Sequence, residues 1–230
     1  MRIDLHTHST PISACAHHDS ALLPEMHKDA GVDAIVLTNH CYPAHLKRLS
    51  DDLKTQAEIY VNEYHLAKEA GDAIGIKVFF GCELKLVNEP NCPEFLLYGI
   101  SEQDFLSSFP LYDKTQEAVF EFCNEKNILM VQAHPYRVKQ GYAPADMKYL
   151  HGVEVYNPHP LFNDRLDDSI LLANENGLIK TAGSDFHVQS QAGNAGIIAP
   201  DDISDQFQLR DFLKTGKAQI YSKTGILDVH

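Results

Sequence analysis

Short apolar runs alternate along the chain with longer stretches in which apolar residues recur every three or four positions. The first pattern predicts strands and the second predicts helices. Arg2 to His6 predicts the first strand, and Ser20 to Ala30 a helix with Leu22, Leu23, Met26 and Ala30 in approximate register, closed by Gly31. Ala34 to Thr38 predicts a second strand. The longest helix follows, carried by Leu53, Ala57, Tyr60, Val61, Tyr64 and Ala67, with Gly71 as its expected stop. Lys77 to Phe80 and Phe95 to Tyr98 are strands three and four, separated by the turn chemistry of Asn88 to Pro93. A helix over Lys114 to Lys126 precedes strand five, Ile128 to Val131, and Gly152 to Tyr156 is strand six. A helix over Leu166 to Asn176, capped by Gly177, leads into strand seven, Leu178 to Thr181. Gly196 to Ala199, a helix over Phe207 to Thr215 and a strand over Ala218 to Tyr221 complete the pattern.

Alternating strands and helices are the pattern of an α/β fold with a parallel sheet. About seven β/α units in this length predict a compact TIM-like barrel rather than an open doubly wound sheet. The Gly-rich phosphate fingerprint expected after the first strand of the open alternative is absent, and His6-Thr7-His8 stands in its place. The sequence has no linker tract and no internal repeat, so a single domain over residues 1–230 is expected.

Composition narrows the function classes. The 230 residues are 44% hydrophobic with no run long enough to span a bilayer, and the first residues lack the features of a secretory signal. A cytoplasmic protein without membrane contact is therefore expected. The net charge of −13 argues against an extended nucleic-acid surface, which would need clustered cations. The five cysteines, Cys15, Cys41, Cys82, Cys92 and Cys123, contain no CxxC pair and read as reduced thiols.

The candidate chemistry lies at the strand ends. His6 and His8 follow strand one, His40 strand two, Glu83 strand three, His134 strand five, and Asp185 and His187 strand seven. In a parallel barrel these positions share one rim. One loop histidine alone is ordinarily a surface residue; candidate ligands at five strand ends point to a metal centre. Five imidazoles and two carboxylates exceed what one tetrahedral ion needs, so two or three ions sharing bridging carboxylates, and metal-assisted hydrolysis, are expected.

The motifs Asp4-Leu5-His6-Thr7-His8-Ser9, Leu37-Thr38-Asn39-His40, Gly81-Cys82-Glu83, Ala133-His134-Pro135-Tyr136-Arg137 and Gly183-Ser184-Asp185-Phe186-His187 resemble those of the PHP (polymerase and histidinol phosphatase) metal-dependent phosphoesterases. The resemblance implies a distorted (β/α)7 barrel binding two to three divalent ions, variously Zn, Mn or Fe, and acting on phosphate esters. It implies His6, His8, Glu83 and Asp185 as ligands of a first ion, and His40 and His187, with one residue from the loop after strand one, for a second. Glu83 and His134 would face a third. For the loop ligand, the Cys15-x-His17 spacing resembles histidinol phosphatase-like members and favours His17. Alignment of Leu22 to Glu25 with the helix that follows Ser-Asp-Gly in other members favours Asp19; His18 lies between them. His17 is the expected ligand.

Trinuclear members place a histidine between the motifs of Glu83 and His134, and residues 84–133 contain none, leaving Glu94 as the substitute. A hydroxide bridging two ions is the expected nucleophile, Arg137 the expected fork for a phosphate oxygen, and Asp185 a source of the leaving-group proton. Glu154 and Asn157 are expected to support the ligands, and His159 to touch substrate. Cys15, Cys41 and Cys82 read as small buried apolar residues beside the centre, with thiolate ligation as the alternative. The expected substrate is a small phosphorylated metabolite or nucleotide. The alternatives are an amidohydrolase-type deacylase and a non-catalytic, metal-stabilised module.

Overall fold

The computed structural model describes residues 1–137, 143–159 and 165–229. Its strands are β1 (Arg2–Thr7), β2 (Ala34–Leu37), β3 (His40–Cys41), β4 (Lys77–Lys85), β5 (Glu94–Tyr98), β6 (Leu129–Gln132), β7 (Gly152–Tyr156), β8 (Ile179–Ala182), β9 (Ala195–Ile198), β10 (Gln219–Ser222) and β11 (Gly225–Leu227). The helices are α1 (Leu23–Asp29), α2 (Pro43–Leu46), α3 (Leu53–Ile74), α4 (Glu102–Ser108), α5 (Gln116–Glu125), α6 (Leu166–Glu175) and α7 (Gln206–Lys214).

The strands form one curled sheet in the order β11-β10-β9-β1-β2-β4-β5-β6-β7-β8, with β3 paired to β4 off this path. The expected closed (β/α)7 barrel of parallel strands is thus corrected to an open, mixed sheet. β5 runs antiparallel to both β4 and β6. Residues 86–93, which join β4 to β5, are too few to carry a crossover helix, so the chain returns as a hairpin. At the other edge β9, β10 and β11 continue antiparallel from β1. The curl still brings the two regions together at the site. A single parallel bridge joins Thr7 to Phe186, with Phe186 N–H donating to the His6 carbonyl and His8 N–H to that of Phe186.

Strand alternation divides the interior in two. Ile35 and Leu37 of β2, Val78 and Phe80 of β4, and Phe95 and Leu97 of β5 pack with Tyr60 and Tyr64 of α3. Their neighbours Ala34, Val36, Phe79, Leu96 and Tyr98 belong to a second cluster with Ile3, Leu5, Val131, Val153 and Ile197. Both faces of the central strands are buried, which is why those strands read as unbroken apolar runs.

Helix α3 extends past the expected stop at Gly71. A Cβ at Gly71 would lie 2.7 Å from the Ile76 carbonyl oxygen and from Val78 Cγ2, so this glycine lets the helix approach β4. The chain turns instead at Gly75, with φ +78°. No helix of the described residues is long and apolar enough to cross a membrane.

Candidate metal centre

Two β-bulges aim the first candidate ligands. In β1 the register with β2 shifts between Asp4 and Thr7, and in β7 the register with β8 shifts between Glu154 and Tyr156. A bulge breaks strict alternation and redirects side chains. Here the two bulges face one another, and His6 Nδ1 lies 2.9 Å from Glu154 Oε1. That hydrogen bond leaves His6 Nε2 directed at Glu83 Oε1 (3.2 Å) and Asp185 Oδ1 (3.4 Å). Glu154 Oε2 accepts from the backbone N–H of His134 and from Asn157 Nδ2. The Glu154 carboxylate therefore fixes one candidate ligand, His6, by its ring and another, His134, by its backbone. Glu154→Gln should weaken metal binding by about 10–100-fold while leaving the fold intact, measured by competition with a chromophoric chelator. An unchanged affinity would leave Glu154 with a packing role alone.

Ser13 does the same for His8. Its Oγ donates to Asn39 Oδ1 (2.9 Å), accepts the His40 backbone N–H (3.0 Å) and lies 3.2 Å from His8 Nδ1. Asn39 Oδ1 is an acceptor, so the single hydroxyl proton goes there and His8 Nδ1 must carry its own. His8 Nε2 then presents its lone pair 3.1 Å from Asp185 Oδ1 and 3.6 Å from Glu83 Oε2.

These contacts collect His6, His8, Glu83 and Asp185 around one point. The separations of 3.1–3.6 Å match the edge of about 3.3 Å expected for a tetrahedron of N and O ligands on zinc. His6 Nε2 and His8 Nε2 are buried and make no hydrogen bond among the described residues, and both face carboxylate oxygens. Leaving such groups unsatisfied costs about 1–3 kcal/mol each. Unsatisfied imidazole nitrogens converging with carboxylate oxygens are the chemistry a divalent ion satisfies, so the residues fit the group.

A second cluster adjoins the first through Glu83. Its Oε2 is 2.6 Å from His40 Nδ1, because β3 pairs with β4 in a register that sets His40 opposite Glu83. Ligand atoms of His8, His40 and His187 lie within 4.8 Å of one another. His134 Nε2 sits 3.0 Å from Glu83 Oε1 and 3.5 Å from Glu94 Oε2. The expected substitute Glu94 is therefore present, but Lys85 Nζ is 3.2 Å from its other oxygen.

His17 is not among these residues. Its side chain is exposed, and its backbone N–H donates to the His187 carbonyl. His18 is half-buried with its ring 6.0 Å from Phe186, and Asp19 Oδ1 accepts from Thr10 Oγ1. Of the loop residues Cys15 comes nearest the cluster, with Sγ 3.1 Å from His187 Nε2. The reading of Cys15 as a small buried apolar residue is corrected: its residue is exposed, whereas Cys41 and Cys82 are buried.

Asp185 has φ +52° and His134 φ +29°, a left-handed backbone at two candidate ligand positions. Gly183 allows the approach of this segment to β1, since a Cβ there would lie 2.3 Å from His6 Cβ. Asp4, buried in β1, accepts from the backbone N–H groups of His6 and Ser184 and ties the two ligand segments together. The sequence contained a signal for it, a carboxylate inside an apolar strand, which requires buried partners.

Arg137 is buried, and its Nη2 donates to Asp185 Oδ2 and to Asn157 Oδ1. Arg137, the expected fork for a phosphate oxygen, thus grips the far oxygen of Asp185 with its Nη2. Against burial, which works to raise it, Arg137, His6 and His187 hold Asp185 well below the usual carboxylate range. An ionised Asp185 suits ligation of a cation. Burial likewise opposes ionisation of Glu83, but His6 and His40 hold it low.

Among the imidazoles, burial and the charges of His40 and His187 push His8 well down. Burial also works against His40, yet Glu83 and Cys15 raise it to about 10. His6 is raised despite burial by Glu154, Asp185 and Glu83. His159 is half-buried with its ring centroid 6.3 Å from that of His187, and burial lowers it to about 4.

No family model matches the sequence, and no curated protein sequence matches it. Solved structures do resemble the fold. A two-domain protein from Bacteroides vulgatus, named as containing a predicted PHP-like metal-dependent phosphoesterase, superposes with TM-score 0.72 at 20% identity, over 99% of this chain and 66% of that one. An amidohydrolase from Chromobacterium violaceum gives 0.58 at 15% identity over 96% and 98%. The lesion-specific endonuclease PfuEndoQ from Pyrococcus furiosus gives 0.63 at 16% over 95% and 57%. The chain thus has the fold of PHP-like proteins, and it spans about two thirds of the first of these structures and a little over half of the third.

Proposed function

We propose that the chain is a metal-dependent phosphoesterase acting on a small phosphorylated metabolite or nucleotide. The observation that carries this reading is the convergence of His6, His8, Glu83 and Asp185 at hydrogen-bond-like distances beside a second cluster that shares Glu83. Divalent ions bound there would supply an activated water as nucleophile and neutralise charge on the phosphoryl oxygens. The chain's own residues prepare that place. Glu154 and Ser13 set the tautomers of His6 and His8, Arg137 and Asn157 fix Asp185, and His159, half-buried beside His187, is the residue to meet a substrate.

Two ions are favoured over three. Lys85 places an ammonium against Glu94, where a third ion would need that carboxylate, and a fixed cation beside the site disfavours another. All five cysteines are free, which accords with a cytoplasmic setting. The net charge of −13 favours a small substrate over a long nucleic acid, although one protein of this fold is named as an endonuclease.

The second reading, an amide-cleaving hydrolase, is supported by the fold it shares with a protein named as an amidohydrolase. A panel of phosphomonoesters, a short oligonucleotide and N-acyl compounds, assayed with and without added Mn²⁺ or Zn²⁺, separates the readings. Metal-dependent phosphate release that His8→Ala reduces by at least about 100-fold is the expected result. Amide cleavage without phosphate release would replace the first reading with the second.

A further inference from the structure

The loop after β1 runs beside the centre, and its backbone is fastened on both sides of Cys15. Ala14 N–H donates to His45 Nδ1 (2.9 Å), Ala16 N–H to the Ser13 carbonyl (2.9 Å) and His17 N–H to the His187 carbonyl (3.0 Å). These bonds turn the thiol inward and the His17 ring outward. Cys15 Sγ is 3.1 Å from His187 Nε2, and it lies within 4.8 Å of a His40 ligand atom. The neighbouring His8 is wholly buried, and its Nε2 makes no hydrogen bond among the described residues while lying within 4.8 Å of the His40 and His187 donors.

Another imidazole in reach is already engaged. His45 uses Nδ1 for the Ala14 N–H and holds Tyr42 Oη at 2.8 Å with Nε2. It serves as a brace for the loop and has no nitrogen left for an ion. With His8 Nε2 directed at the first position, the second cluster offers imidazoles from His40 and His187, an oxygen of the shared Glu83 carboxylate and one sulfur. Two nitrogens, a carboxylate oxygen and a thiolate form a complete tetrahedral set for a structural or catalytic transition-metal site.

We propose that Cys15 is a thiolate ligand of the ion held by His40 and His187, in the place where His17 or Asp19 was expected. The inference rests on the reading of this centre as metal-binding. On coordination the S–H bond breaks, its proton passes to solvent, and the sulfur lone pair forms the bond to the cation; no oxidant or reductant is involved. A thiolate makes the second position soft, so it selects zinc, cobalt or ferrous iron over magnesium and calcium. The first position, built from imidazoles and carboxylates, lacks that preference.

The test is an anaerobic Co²⁺ titration of the full chain after chelation, followed by absorption. Visible d–d bands report cobalt in the centre, and a near-ultraviolet sulfur-to-cobalt charge-transfer band reports a thiolate bond. The charge-transfer band is expected in the native sequence and lost in Cys15→Ser, with d–d bands retained and affinity for one of the two ions reduced at least about tenfold. A charge-transfer band that persists in Cys15→Ser, or d–d bands without any charge-transfer band in the native chain, would overturn the ligand assignment and leave the metal centre standing. Failure of cobalt to bind at all would remove both.

Discussion

Asp185→Ala is expected to lower the stability of the metal-free protein by about 3–5 kcal/mol, and to remove metal and phosphatase activity together. The stability loss follows from Arg137, a buried guanidinium whose Nη2 is held by Asp185 Oδ2 and Asn157. Without the carboxylate, that charge stays buried beside a half-dismantled network. The loss of metal follows from the other oxygen, which faces His6 Nε2 and His8 Nε2. Denaturant midpoints and elemental analysis measure the two effects separately. Asp185→Ala combined with Arg137→Met should recover much of the stability and none of the metal, because an apolar pair replaces the stranded charge. An Asp185→Ala protein that kept its midpoint and its full metal content would exclude Asp185 from the centre.

Chelation should produce the second large effect. With free metal at about a thousand times its dissociation constant, binding stabilises by roughly 4 kcal/mol. For a chain of this size that corresponds to a fall in Tm of about 8–16 °C on removing the metal. The size of the gap should depend on pH. In the metal-free protein His40 is raised from 6.5 to about 10, so its contribution to stability is complete below 6.5 and lost as pH climbs through 10. Glu83 and Asp185 are depressed below their ordinary values of 4.5 and 3.8. Their contribution is present above those values and disappears only as pH falls through the depressed ones. Metal must displace the protons carried by His6 and His40, so loading releases protons and tightens as pH rises. The gap in Tm between loaded and chelated protein should therefore widen from pH 6 to pH 9, which a series of thermal melts would measure. A gap that narrowed over that range would contradict the protonated state of His40.

Much of the architecture was legible because it rests on periodicity. Gly152–Tyr156 and Leu166–Glu175 lie within a residue of the expected spans, and α3 was visible from its buried stripe of Ala57, Tyr60, Val61, Tyr64 and Ala67. The short elements α2, α4 and β11 escaped, since three to seven residues cannot establish a period. Strand direction escaped for a different reason. Phe95 to Tyr98 is apolar on both faces whether it runs parallel or antiparallel, and only its pairing with β4 and β6 decides.

At the site, residue type and spacing were sufficient for His6, His8, His40, Glu83, His134, Asp185 and His187 to be named, and the structure brings all seven together. Their assignment to particular ions is the proposal above. The loop was different: Cys15, His17, His18 and Asp19 lie within five residues, and the chain alone holds no record of which one turns inward. Donors distant in sequence make that choice, the carbonyl of His187 and the ring of His45 among them.

What the sequence by itself determined, then, is the set of strands and the chemistry carried at their ends, because both follow from local order along the chain. Tertiary structure alone decided that the sheet stays open, that two bulges aim His6 at Glu154, that Arg137 grips Asp185, and that Cys15 faces His187. Each of those depends on contacts between segments far apart in the chain, whose direction and register no local pattern encodes.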